Sequence, residues 1–66
     1  MHGEDRDRFA ARLRDCPIDV VRGNLARANR DLPLTAPDSA GRAYELTVAE
    51  LTTEELAHRA LGAGLS

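Results

Sequence analysis

Glu45-Leu46-Thr47-Val48-Ala49-Glu50-Leu51-Thr52-Thr53-Glu54-Glu55-Leu56 says nearly the same thing twice, five residues apart. Each copy sets a threonine three residues before a glutamate with leucines on either side, the pattern of a capping box with a hydrophobic staple. An interval of five fits neither the helical period of about 3.6 nor the strand period of 2, so the two starts compete. A helix opened at Thr47 would scatter Val48, Leu51, Leu56 and Leu61 around the wheel. One opened at Thr52 gathers Leu56, Ala57, Ala60 and Leu61 on one face. The expectation is therefore a helix over 53–61: Thr52 as N-cap, Glu55 returning to it, Leu51 stapled on Leu56, and Gly62 as the stop. His58 and Arg59 lie in the last turn, where positive charge suits the helix dipole. Tyr44, Leu46 and Val48 alternate with Glu45 and Thr47, which predicts a short extended segment over 44–48.

Working back, Phe9, Leu13 and Cys16 define one apolar stripe, and Ile18, Val21, Leu25, Ala28 and Leu32 another. On one unbroken helix these would point roughly 130° apart. Pro17 falls between them, removing a backbone donor and pushing Cys16 out of the helical region. Two helices follow, over 4–15 and 17–31, with Pro17 at the first position of the second. Residues 32–43 carry two prolines, a glycine and turn formers and read as a connector. The fold class is all-α: one small three-helix domain over 1–66, with a helical pair at 4–31, a connector at 32–43, and an extended piece plus helix at 44–62. Its expected core joins Phe9, Leu13, Ile18, Val21, Leu25, Leu46, Leu51, Leu56 and Leu61.

Sixty-six residues with 42% apolar content, eleven alanines, one Phe, one Tyr and no Trp leave a thin core. A chain of this size buries only about 60% of its unfolded surface, so partnership is the expected remedy. All nine basic residues are arginine against eleven acids. Residues 1–31 hold seven arginines and six acids, whereas 32–66 hold two and five, an arginine-bearing half followed by an acidic one. A lone cysteine makes no internal disulfide, and no apolar run approaches a membrane span or a signal peptide, so a cytoplasmic location is expected.

Chemistry-bearing constellations are sparse. His2, His58 and Cys16 are too scattered for a metal site, and no metal or cofactor is expected. Glu54 and His58, four apart, suit a modest surface contact. Cys16 would lie near a helix start, where a thiol acidifies, yet its place beside Pro17 fits a small residue buried at an interhelical corner. Asp38-Ser39 reads as a turn rather than a nucleophile elbow, and a phosphate-binding glycine loop is missing. An enzyme acting alone is not expected. Arg22, Arg27 and Arg30, with Asn24 and Asn29, could form a DNA-recognition face, although Asp19 and Asp31 flank it and the pI is near 5.5. A solvated face is the preferred reading.

The run from Glu50 to Gly64 resembles the leader end of double-glycine peptide precursors, in which an acidic helix precedes a G-G or G-A cleavage site. Here Gly62-Ala63 lies one residue later than that pattern expects, and only Gly64-Leu65-Ser66 follow, so the run is read as ordinary helix capping. The expected function is a non-catalytic interaction module: an accessory subunit or adaptor docking on a larger protein or on itself, through Val21, Leu25, Leu56 and Leu61. An antitoxin-type DNA-binding regulator using Arg22, Arg27 and Arg30 is one alternative, and a small non-catalytic subunit of an enzyme complex is the other.

Overall fold

The computed structural model describes residues 2–65, with side chains through Gly62, and contains three α-helices and one 3-10 turn: α1 (Gly3–Asp15), α2 (Ile18–Asp31), the turn Leu32–Leu34, and α3 (Ala40–Leu65). The all-α, three-helix expectation holds.

Charge at the ends suits α1 and α2. Glu4 and Asp5 occupy the first turn of α1, Arg12 and Arg14 its last; Asp19 opens α2 and Arg30 closes it. Pro17 does end α1, but it stands one position outside α2 rather than at its first residue. Its backbone is extended (φ −58°, ψ 152°), and its carbonyl accepts from the amides of Val20 and Val21. After Pro33 and the Leu32–Leu34 turn, Thr35 closes the connector by donating from both its amide and its hydroxyl to the Leu32 carbonyl. Asp38 then adopts φ 63°, a left-handed conformation that Asp tolerates better than most side chains.

The third helix corrects the sequence expectation. It begins at Ala40, capped by Ser39, whose Oγ accepts the Arg42 amide at 3.1 Å while its own proton goes to the Ala36 carbonyl. There is no extended segment at 44–48, and Thr52 is no cap. The Thr52 hydroxyl, fully buried, donates to the carbonyls of Val48 (2.8 Å) and Ala49 (3.1 Å), and that of Thr47 donates to Ala43. Such back-bonding satisfies a mid-helix threonine without a helix end. Glu55, expected to return to Thr52, instead accepts a bond from Arg59.

The wheel explains the correction. Relative to Val48, Leu51 lies about −60°, Glu55 −20°, Arg59 +20°, Thr52 +40° and Leu56 +80°, one sector of about 140°. Leu46 and Leu61 fall outside it. The inward face of α3 runs unbroken through Thr52 once self-satisfied polar residues are admitted to it.

About 39 Å long at 1.5 Å per residue, α3 sets the longest dimension of a 42 × 25 × 16 Å molecule. The start of α2 lies beside the end of α3, where Ile18 and Arg22 face Leu56 and Ala60, and the end of the connector lies beside its start, with Thr35 near Gly41. Antiparallel packing of α2 along α3 follows. Helix α1 runs the opposite way over the second half of α3, from Arg6 beside Glu50 to Leu13 and Cys16 beside Arg59.

Among the described residues the buried apolar ones are Leu13, Val21, Ala28, Val48 and Leu51; Phe9, Ala10, Cys16 and Leu56 pack around the cluster of Leu13, Val21 and Leu51. Each fully buried Val or Leu contributes about 1.5–3 kcal/mol, so the core is small in total. Three expected core members are surface residues: Ile18 (39% exposed), Leu46 (50%) and Leu61 (68%). The inward reading of Leu46 goes with an extended segment at 44–48 and that of Leu61 with a helix start at Thr52, and the structure contains neither.

Candidate interaction surface

Helix α3 is apolar on two sides. Opposite its core face, Ala43, Leu46, Ala57 and Leu61 lie within about 60° of one another, interrupted by Glu50, Thr53 and Glu54. All seven are exposed. A groove of about 430 Å³ begins this strip, between Leu46, Ala43 and Arg42 on the helix and Pro37, Asp38 and Ser39 on the connector. Leu34, at 80% exposure, and Tyr44, at 42%, lie on the connector and on the first half of α3. A second groove, of about 360 Å³, runs between Ile18 and Arg22 of α2 and Leu56, Arg59 and Ala60 of α3. A third, of about 420 Å³, follows the seam between α1 and α3, with Leu13 and Leu51 among its lining and Arg14, Glu54 and His58 beside them.

Of the residues expected to bind a partner, Val21 is fully buried in the chain's own core and offers no surface. Leu25 and Leu56 are half-buried, and Leu56 packs on the core from the floor of the second groove. Leu61 is open to solvent.

Electrostatically, the acidic half is less bare than its composition suggests. Glu50 pairs with Arg6 at 2.9 Å and Glu55 with Arg59 at 2.6 Å. The Glu50 hydrogen bond, and secondarily its charge, raises the Arg6 guanidinium above its usual pKa. Arg59 does more than pair. Its guanidinium also donates to the carbonyl of Cys16 (2.7 Å), just past the end of α1, and to that of Leu13 (2.8 Å), which also accepts the Cys16 amide. The sequence marked Arg59 only as a last-turn cation; its reach across to α1 carried no local signal.

Arg22, Arg27 and Arg30 are all exposed. They do not form one compact patch: Arg27 lies about 140° around α2 from Arg22, and Asp19 falls between Arg22 and Arg30. Arg30 is bonded to Asp31 at 3.2 Å.

Cys16 is a half-buried free thiol at the α1–α2 corner. His2 and His58 are exposed, and Glu54 makes no hydrogen bond to His58. Among the described residues no group of three or more His, Cys, Asp or Glu side chains converges as a metal site would require, and no helix is long and apolar enough to cross a membrane. Compared with known proteins, the chain matches no family model, no curated protein and no solved structure.

Proposed function

We propose that this chain is a small non-catalytic interaction module, an accessory subunit or adaptor that docks on a larger protein or on a second copy of itself. One observation carries the proposal: among the residues whose side chains are described, the large apolar ones left exposed (Ile18, Val20, Leu34, Tyr44, Leu46 and Leu61) outnumber those buried. Scattered exposed leucines are ordinary on a large protein, but a 66-residue chain with so small a core gains much from covering them. The outward strip of α3, with Leu46 and Leu61 near its ends, is the surface the proposal assigns to a partner. Leu25 and Leu56 lie at the margin of the core and contribute only where a groove admits a partner's side chain.

The test combines sedimentation with affinity capture from the native cell, using the intact chain and a Leu46→Asp/Leu61→Asp variant whose helicity is checked by circular dichroism. Both substitutions fall on exposed positions and should leave the fold intact while abolishing association. A chain that stays monomeric, melts cooperatively above about 65 °C and captures the same proteins with or without the two aspartates would overturn the proposal.

A further inference from the structure

We infer that the groove between the start of α2 and the end of α3 receives an aliphatic side chain from an acidic segment of a partner protein, with Arg22 and Arg59 holding the carboxylates that flank it. The inference deepens the proposal above, on which it rests, by giving the partner a chemistry. Ile18, Leu56 and Ala60 form the apolar part of the groove, beside the two arginines. Ile18 and Ala60 are exposed, and Leu56 packs onto the core beneath them. At about 360 Å³ the groove lies near the lower end of ligand pockets, about 300–1,000 Å³, a size that suits one or two side chains better than a cofactor.

Charge selects the occupant. In a chain of net charge −2, this groove is lined by two arginines and no carboxylate. The other two grooves mix signs: Asp38 accompanies Arg42 in one, and Glu54 and Glu55 accompany Arg14 in the other. The acids nearest in sequence are placed elsewhere, since Asp19 lies about 100° around α2 from Ile18 and Glu55 lines the α1 seam. Both arginines have donors to spare. Arg22 is exposed and makes no ion pair among the described residues. Arg59 commits Nε to Glu55 and Nη2 to the carbonyls of Leu13 and Cys16, which leaves Nη1 without a partner among the described residues. Those bonds fix its guanidinium, so a carboxylate arriving there meets a donor already in position. A nucleic-acid phosphate would use the charge and leave the apolar floor uncovered, and a basic apolar segment would be repelled. An acidic, aliphatic segment uses both features.

The probe is the peptide acetyl-Asp-Glu-Leu-Ile-Asp-Glu-amide, with acetyl-Lys-Arg-Leu-Ile-Arg-Lys-amide as its charge-reversed control and octanoate as a small carboxylate. Each is titrated into the isotope-labelled intact chain and followed through the amide resonances. The expected result is saturable shifts at Ile18, Arg22, Leu56 and Ala60 with the acidic peptide alone, with a Kd between about 10 µM and about 1 mM that weakens with salt. Arg22→Glu should weaken binding about tenfold or more and Arg22→Lys about threefold at most; Ala60→Glu, which adds a carboxylate to the groove, should also cost about tenfold. Both positions are exposed, and Arg59 is left intact because it also holds α1. Leu46→Asp/Leu61→Asp should bind the acidic peptide as the parent does; loss of binding there would move the site to the outward strip and overturn the inference. Equal binding of both peptides, or of neither, would also overturn it, and association that the two aspartates abolish would then leave the proposed function standing. Octanoate bound in the groove without the peptide would overturn a protein segment as the occupant. Should Arg22→Glu not fold by circular dichroism, Ala60→Glu and the charge-reversed peptide decide.

Discussion

Glu55 holds Arg59 one helical turn away, Oε2 to Nε at 2.6 Å, and thereby aims the rest of the guanidinium at the carbonyls of Leu13 and Cys16. One side chain of α3 thus closes the end of α1 and fixes the corner into α2. Both partners are largely shielded, at 24% and 11% side-chain exposure, so the bonds compete little with water. Arg59→Ala should destabilise the chain by about 1–3 kcal/mol, because it leaves the Cys16 carbonyl and the Glu55 carboxylate without this donor and takes a second donor from the Leu13 carbonyl. Arg59→Lys should recover only part of that loss, since an ammonium lacks the planar fork that spans Glu55 and the two carbonyls. Urea denaturation of the two variants beside the parent measures the difference.

Ser39 and Thr52 exchange the roles that their surroundings in sequence suggest. Ser39→Ala should cost about 0.5–2 kcal/mol, the worth of a helix cap. Thr52→Val keeps the buried shape and removes only a hydroxyl that bonds carbonyls already engaged in the helix, so its cost should stay below about 1 kcal/mol. A larger loss at Thr52 than at Ser39 in chemical denaturation would contradict the assigned helix start.

The difference between those two residues shows what the sequence could convey. The α1 and α2 stripes are apolar and interrupted by a proline, and both helices were legible to within a residue. The inward face of α3 mixes Val48 and Leu51 with Thr52, Glu55 and Arg59, whose polarity is satisfied within the helix or against α1. A pattern seeking apolar spacing alone breaks it at Thr52 and mistakes a doubled Thr-x-x-Glu for a beginning. The true start was quiet because Arg42, rather than Glu or Gln, stands three residues after Ser39 and completes no capping box. The surface was harder still. Leu46 and Leu61 are apolar residues at helical spacing, and nothing local distinguishes a second, outward face from a core.

Helix α1 should be the first element to open. Its burial rests on Leu13, and its far end is tied by Arg6 to Glu50 across an exposed contact. In hydrogen exchange its amides should exchange faster than those of α2 and the middle of α3, and Arg6→Gln should speed α1 further while leaving the other two unchanged. The raised pKa of Arg6 means that this arginine's contribution is present throughout the neutral range and is lost only in strong alkali, as pH rises through the folded value. From the arginine side, then, the α1 rates should show no step between pH 6 and 9 beyond the intrinsic exchange chemistry. Equal protection of all three helices would contradict a loosely held α1.

Duplex DNA provides the last test, because Arg22, Arg27 and Arg30 are exposed and carry the side chain that reads guanine best. Geometry works against them as a set. Arg27 points about 140° away from Arg22, Asp19 intervenes between Arg22 and Arg30, and Arg30 is engaged by Asp31. Phosphate binding rewards a continuous positive footprint, whereas this chain carries a net charge of −2. Fluorescence anisotropy with labelled duplex at physiological salt should detect no binding by the purified chain, and charge-neutralising variants at the three arginines should change nothing. Submicromolar, sequence-selective binding that weakens steeply with salt, with each neutralised arginine flattening the slope by about one unit, would make the outer face of α2 the functional surface instead of α3.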